Sequence, residues 1–200
     1  MRWSVIGVAA GLLACGIAHA KRFTDPAAGI SIEKPDDWSV LPPEAIAKDR
    51  VNVATENTKL REALESYAIR PPLFAFTRVR GSYRGLATTV KIGTVAAGNL
   101  EGQSGQQALE ALVEPVRSVM SDMKVVTAPE PVSLAGRRAG HMSFISTLEY
   151  DHLPLSVAFE MWAVPQGNHF LLLAATYPAN DQTGDRAAVM KLINSLKFSD

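Results

Sequence analysis

Cysteine is almost missing from this chain: Cys15 is the single thiol in 200 residues. That excludes a small scaffold stapled by disulfides, a cysteine-built metal site and a thiol nucleophile in the folded domain. An excess of either charge is missing as well, since 20 Lys and Arg oppose 20 Asp and Glu. Nucleic-acid binders usually carry a clear basic surplus, and this chain has none. Neither type of glycine-rich phosphate loop is present, so no nucleotide cofactor is expected. Repeats and low-complexity tracts are lacking too. No cofactor of any kind is predicted.

The N-terminus is what stands out. Met1-Arg2-Trp3 supplies one positive charge, and Ser4 to Ile17 carries none. Ala18-His19-Ala20 then offers the small-x-small pattern of a signal-peptidase site, and Lys21-Arg22 restores charge. A membrane-spanning helix needs roughly 20 apolar residues. This run is shorter and glycine-containing, so residues 1–20 read as a cleavable secretory signal and 21–200 as one domain. Leu12-Leu13-Ala14-Cys15-Gly16 also resembles a lipobox. The expectation is a periplasmic protein cut after Ala20; the alternative is the same domain anchored to a membrane through Cys15. With Arg2 removed, 19 basic residues face 20 acidic ones.

The mature part is long enough to bury a sizeable core. Gly29 to Pro35 alternates as a short strand. Residues 57–67 form an amphipathic helix candidate with Leu60, Ala63, Leu64 and Tyr67 on one side. Leu73 to Val79 and Leu86 to Val95 read as strands. Ser104 and Gln107 make a capping-box pattern before a helix from about Gly105 to Met120, whose apolar stripe is Leu109, Leu112, Val113, Val116 and Met120. Pro115 should kink or split it. Lys124 to Ala128 and Pro131 to Leu134 follow, with a tight turn at Ala135-Gly136, then three long strands and a helix from about Gly184 to Leu196. In the hairpin closed by Tyr150 to Leu153, pairing Glu149 with Pro154 sets Met142 against Met161, Phe144 against Phe159 and Leu148 against Leu155. A one-residue slip would break that apolar face. Closing the next hairpin through Pro165-Gln166-Gly167-Asn168 sets Leu172 beside Met161 and Leu171 beside Trp162. The predicted fold class is α+β: an antiparallel β-sheet of five to seven strands, with helices on both faces.

A catalytic constellation is hard to assemble. Gly102-Gln103-Ser104-Gly105 lacks the Gly-x-Ser-x-Gly spacing of a nucleophile elbow, and Ser104 is explained as a helix cap. His152 falls in a hairpin loop at one end of the sheet and His141 and His169 at the other, about 30 Å away for some ten residues of strand, so the three cannot share one ion. No carboxylate is placed between His141 and His169, and all three read as surface or strand-end residues. Glu160 shares the Trp162 face opposite Ser143, and a donor such as Ser143 is expected to satisfy it. Arg70, Arg78, Arg80 and Arg84 with Tyr83 form the local basic cluster. Of these, Arg78, Arg80, Tyr83 and Arg84 are the candidate partner-binding residues, suited to a phosphate, a carboxylate or an acidic protein surface. Trp162, Leu171 and Leu173 are the candidate lining of an apolar pocket between sheet and helix.

Gly29-Ile30-Ser31-Ile32 followed by Pro35 and Trp38 resembles the opening signature of the PsbP-like group, which includes the DcrB-like lipoproteins and exported proteins. Val132-x-Leu134-Ala135-Gly136-x-x-Ala139 is similar to that group's turn into its central hairpin. Tyr177-Pro178, a helix, and Ser195-Leu196-Lys197-Phe198 resemble its C-terminal run. The resemblance implies an α/β/α sandwich around an antiparallel sheet and a non-enzymatic role as accessory subunit, assembly factor or protein binder. The leading expectation is therefore a periplasmic accessory or protein-binding protein, its sharper form an inhibitor or immunity-type protein, with another envelope or secreted protein as partner. Small-ligand or lipid binding is the second reading. A hydrolase built on Glu160 or His141 in a cleft is the third.

Overall fold

The computed structural model of the chain describes residues 20–42, 72–83, 86–150, 153–181 and 184–199, with the backbone alone at 79–83 and 150. The expected helix at 57–67 and the basic-cluster residues Arg70 and Arg84 lie outside these residues. Among the described residues there are ten strands: β1 (Lys21–Asp25), β2 (Ile30–Lys34), β3 (Ser39–Val40), β4 (Phe74–Tyr83), β5 (Leu86–Ala96), β6 (Lys124–Leu134), β7 (Arg137–Tyr150), β8 (Leu153–Gln166), β9 (His169–Pro178) and β10 (Lys197–Phe198). The two α-helices among the described residues are α1 (Gly105–Val119) and α2 (Asp185–Ile193).

Seven strands form one antiparallel sheet in the order β3-β4-β5-β9-β8-β7-β6. Its centre follows from side-chain alternation. Met142 faces Met161, Phe144 faces Phe159 and Leu148 faces Leu155, as the apolar pattern predicts. The Phe144 and Phe159 rings stack with centroids 4.7 Å apart. The β8–β9 pairing differs from expectation by two residues: Met161 faces Ala174, and Trp162 faces Leu173. Gly167 explains the difference. Its φ of 65° suits the first central position of a two-residue hairpin, so Gln166 and His169 close the ladder around Gly167-Asn168. The β6–β7 connection is equally tight, with φ of 48° at Ala135 and 81° at Gly136. β6 is one strand rather than two, its register slipping between Val125 and Thr127 and again between Thr127 and Glu130.

A second, three-stranded sheet has the order β1-β2-β10. Sequence reading anticipated β2 but not β1, whose residues are mostly exposed and give little hydrophobic signal.

Both faces of the large sheet are apolar. Trp162, Val164, Leu171, Leu173 and Tyr177 pack with Val189, Leu192 and Ile193 of α2 and with Ile30 and Ile32 of β2. Met142, Phe144, Ala163 and Phe170 pack with Ala108 and Leu109 of α1, joined by Leu112, Val113, Val116 and Met120. The capping box at the start of α1 is complete, Ser104 accepting from the Gln107 amide and Gln107 accepting from the Ser104 amide. Pro115 does not split α1. It falls near the C-terminal end, where it removes one intrahelical bond.

Candidate functional site

Glu160 sits in the middle of β8, flanked by Phe159 and Met161, and is fully buried. A carboxylate in such a place must be paired and hydrogen-bonded. Three elements supply the donors. His141 of β7 places Nε2 2.9 Å from Oε1. Arg186, in the first turn of α2, places Nη2 2.9 Å from the same oxygen. Tyr177 of β9 donates its hydroxyl to Oε2 at 3.0 Å. These are the donors, in place of the expected Ser143, which stands directly across the ladder. His141 is buried too and lies against the Trp162 ring, centroids 5.2 Å apart. Its other nitrogen, Nδ1, faces Glu130 Oε1 of β6 at 3.4 Å. The expectation that His141 is a surface or strand-end residue is thus corrected: it bridges two carboxylates.

The electrostatics follow from these contacts. Burial pushes the Glu160 carboxyl up, but the hydrogen bonds from His141, Arg186 and Tyr177 outweigh it and hold the group below its ordinary value. Burial likewise lowers His141, and its bonds to Glu160 and Glu130 more than reverse that. Burial and the neighbouring Glu160 charge raise the Tyr177 phenol, keeping it protonated. The Glu160 bond raises Arg186. A general acid needs a carboxyl that holds its proton near neutrality; Glu160 is shifted the other way. Three donors already converge on its two oxygens. Such an arrangement locks α2 to the sheet.

Arg78 of β4 does comparable work at the first residue of α2. Its Nε lies 2.9 Å from Asp37 Oδ2, and its Nη1 lies 3.2 Å from Asp185 Oδ1. Asp185 is the first residue of α2 and is 2% exposed. Of the other candidate partner-binding residues, Arg80 and Tyr83 belong to β4, and the register with β5 shifts between Arg78 and Tyr83. The candidate pocket residues Trp162, Leu171 and Leu173 are all buried and carry α2 on their face. His169 contacts Asn168 and Gln166 at its hairpin turn, and His152 lies outside the described residues. Among the described residues no group of three or more His, Cys, Asp or Glu is placed to hold a metal ion. No helix among them is long and apolar enough to cross a membrane.

Sequence reading singled out Glu160 and His141 separately and missed Tyr177 and Arg186. The available signal was the acidic residue itself, set in an apolar strand that needs compensating donors.

The fold is of the PsbP/Mog1 kind. Cyanobacterial PsbP (CyanoP) from Synechocystis is similar at a TM-score of 0.54 and 10% identity, over 96% of this chain and 98% of that one. The Ran-binding protein Mog1p of Saccharomyces cerevisiae matches at 0.52 and 9%, over 90% and 96%. LpqN, involved in cell envelope biogenesis of Mycobacterium tuberculosis, matches at 0.50 and 12%, over 90% and 86%. A Bacteroides thetaiotaomicron structure also matches at 0.50, and the chain spans about half of it, 49%. No protein-family model and no curated protein matches the sequence. At these identities the likeness is one of fold.

Proposed function

We propose that this chain is an exported, non-enzymatic accessory or protein-binding protein of the periplasm, an α/β/α sandwich of the PsbP-like and DcrB-like kind. The observation that carries the reading is the fold, matched over nearly the whole chain by CyanoP, Mog1p and LpqN. Mog1p binds Ran, which a protein partner would parallel, and LpqN is involved in envelope biogenesis, which a place in the envelope would parallel. Glu160 and His141 add support, because their polar atoms are already engaged: Glu160 with His141, Tyr177 and Arg186 of α2, and His141 with Glu160 and Glu130. Cleavage after Ala20 leaves β1 whole, since that strand begins at Lys21. Processing at Cys15 would leave it whole as well, on a lipid anchor.

The proposed contact is the β4–β5 turn, with Arg80, Tyr83 and Arg84 reading an acidic surface. Arg78, at its base, is given to Asp37 and Asp185. An inhibitor or immunity-type role is the sharper form of the same reading. The test is affinity capture from envelope extract with the mature chain and with the R80A/Y83A/R84A triple variant. A partner retained by the first and lost by the second, with both folded, is expected. Capture of nothing, or equal capture by both, counts against the proposal.

A further inference from the structure

His141 has a carboxylate at each ring nitrogen: Glu160 at Nε2, 2.9 Å away, and Glu130 at Nδ1, 3.4 Å away. Neutral imidazole carries one N–H and one lone pair. It can donate to one of these carboxylates while presenting its lone pair to the other. Only the imidazolium satisfies both. The two carboxylates are not equivalent competitors for a single proton. Glu160 is fully buried and cannot turn to water, whereas the Glu130 side chain is 52% exposed and can.

We infer that His141 is a protonation-gated clasp on the edge of the sheet: charged, it ties Glu130 of β6 to the core, and neutral, it keeps Glu160 and lets Glu130 go.

The charged and titratable groups around the ring come from every neighbouring element. They are Glu130 on β6, Glu160 on β8, Tyr177 on β9, which donates to Glu160 Oε2, and Arg186 on α2, which shares Glu160 Oε1 with His141. Arg186 competes for that oxygen and disfavours a second cation. Burial of the ring also opposes its charge, but the bonds to Glu160 and Glu130 outweigh it and the folded value lies above the ordinary 6.5. The sign follows from linkage: the tie is fully formed below the ordinary histidine value and is lost as pH rises through the folded one.

What the clasp governs is set by β6. It is the outermost strand, and its register slips just before the Glu130–His141 pair. Counting back from the two-residue turn, Glu130 falls in a hydrogen-bonded pair with His141, and its neighbours Pro129 and Pro131 present no N–H on the open side of the edge. The ladder is irregular just ahead of this pair, and the Glu130–His141 side-chain contact reinforces it there. Release of Glu130 loosens this part of the edge strand.

The experiment uses the mature chain, wild type and Glu130→Gln, since Glu130 is half exposed and its replacement spares the buried Glu160. Side-chain NMR gives the His141 midpoint. Amide hydrogen exchange between pH 6 and 8, corrected for the intrinsic base-catalysed rate, gives the opening of β6 about Glu130. In wild type the midpoint lies above 6.5, and β6 opens more readily as pH rises through it. In Glu130→Gln the midpoint falls, and the pH-dependent part of the opening disappears. Reciprocity requires the fold-change in opening to match the shift in midpoint, tenfold for each pH unit. A His141 midpoint unmoved by Glu130→Gln, or β6 opening with no dependence on His141 charge, overturns the clasp.

Discussion

Gly105, the first residue of α1, is pressed against Gly140 of β7. A Cβ on Gly105 would lie 2.0 Å from the Ala163 carbonyl oxygen and 2.4 Å from the Gly140 nitrogen, and one on Gly140 would lie 2.3 Å from the Gly105 carbonyl carbon. Backbone meets backbone there, so no side-chain rotation relieves a methyl group. Gly140→Ala or Gly105→Ala must lift the start of α1 off the sheet. Overpacking of this kind costs about 3 kcal/mol, which for a domain of this size lowers Tm by roughly 6–12 °C. Thermal unfolding followed by circular dichroism measures it.

Glu160→Ala removes the acceptor shared by His141, Arg186 and Tyr177. Breaking a buried ion pair usually costs about 3–5 kcal/mol. The low end is expected here, because the Arg186 side chain is 55% exposed and turns to water. Urea denaturation gives the loss. The same variant lowers the His141 midpoint, which a merely steric defect would leave in place.

Arg78→Ala separates a structural arginine from a binding one. Asp185 is buried under that guanidinium, so removing the charge-assisted bond costs about 1.5–3 kcal/mol. Arg78→Lys keeps the charge but cannot span Asp37 and Asp185 with a planar fork, and it falls between alanine and wild type. Chemical denaturation ranks the three.

Asp122, in the turn between α1 and β6, accepts hydrogen bonds from the Ser146 hydroxyl and the Thr147 amide. These bonds, led by that from Ser146, hold its carboxyl down from 3.8 to about 2. The folded value is the lower one, so the contribution is complete above the ordinary value and is lost as pH falls towards 2. Denaturation curves of wild type and Asp122→Asn are expected to differ by a constant amount above pH 4 and to converge near pH 2. A constant difference across that range would remove the carboxylate from the explanation.

The parts of the fold legible in the sequence are those written in local periodicity. The β7–β8 register, the α1 stripe and its capping box each follow from spacing within a few turns or one hairpin. The β8–β9 offset is of another kind. A slip of two residues leaves every side chain on its original face, so alternation cannot distinguish Leu171 from Leu173 as the neighbour of Trp162. Gly167 alone decides it. Arg186 reaches Glu160 from a separate helix, and nothing near Glu160 in sequence announces where that helix sits. Gly140 carried a readable mark, because a lone glycine inside a strand often signals a close backbone approach, but its partner Gly105 has no such signature.

The small sheet takes its outer strands from opposite ends of the described chain. β1 begins at Lys21, β10 closes at Phe198, and the Ser199 amide donates to the Gly29 carbonyl beyond it. A chain that emerges N-terminus first therefore makes Ile30 and Ile32 long before Lys197 and Phe198, which complete their sheet. These two side chains are fully enclosed once folding is complete. Residues 197–199 act as a closing stitch, and removing them while sparing α1, α2 and all seven strands of the large sheet still leaves the first sheet unfinished.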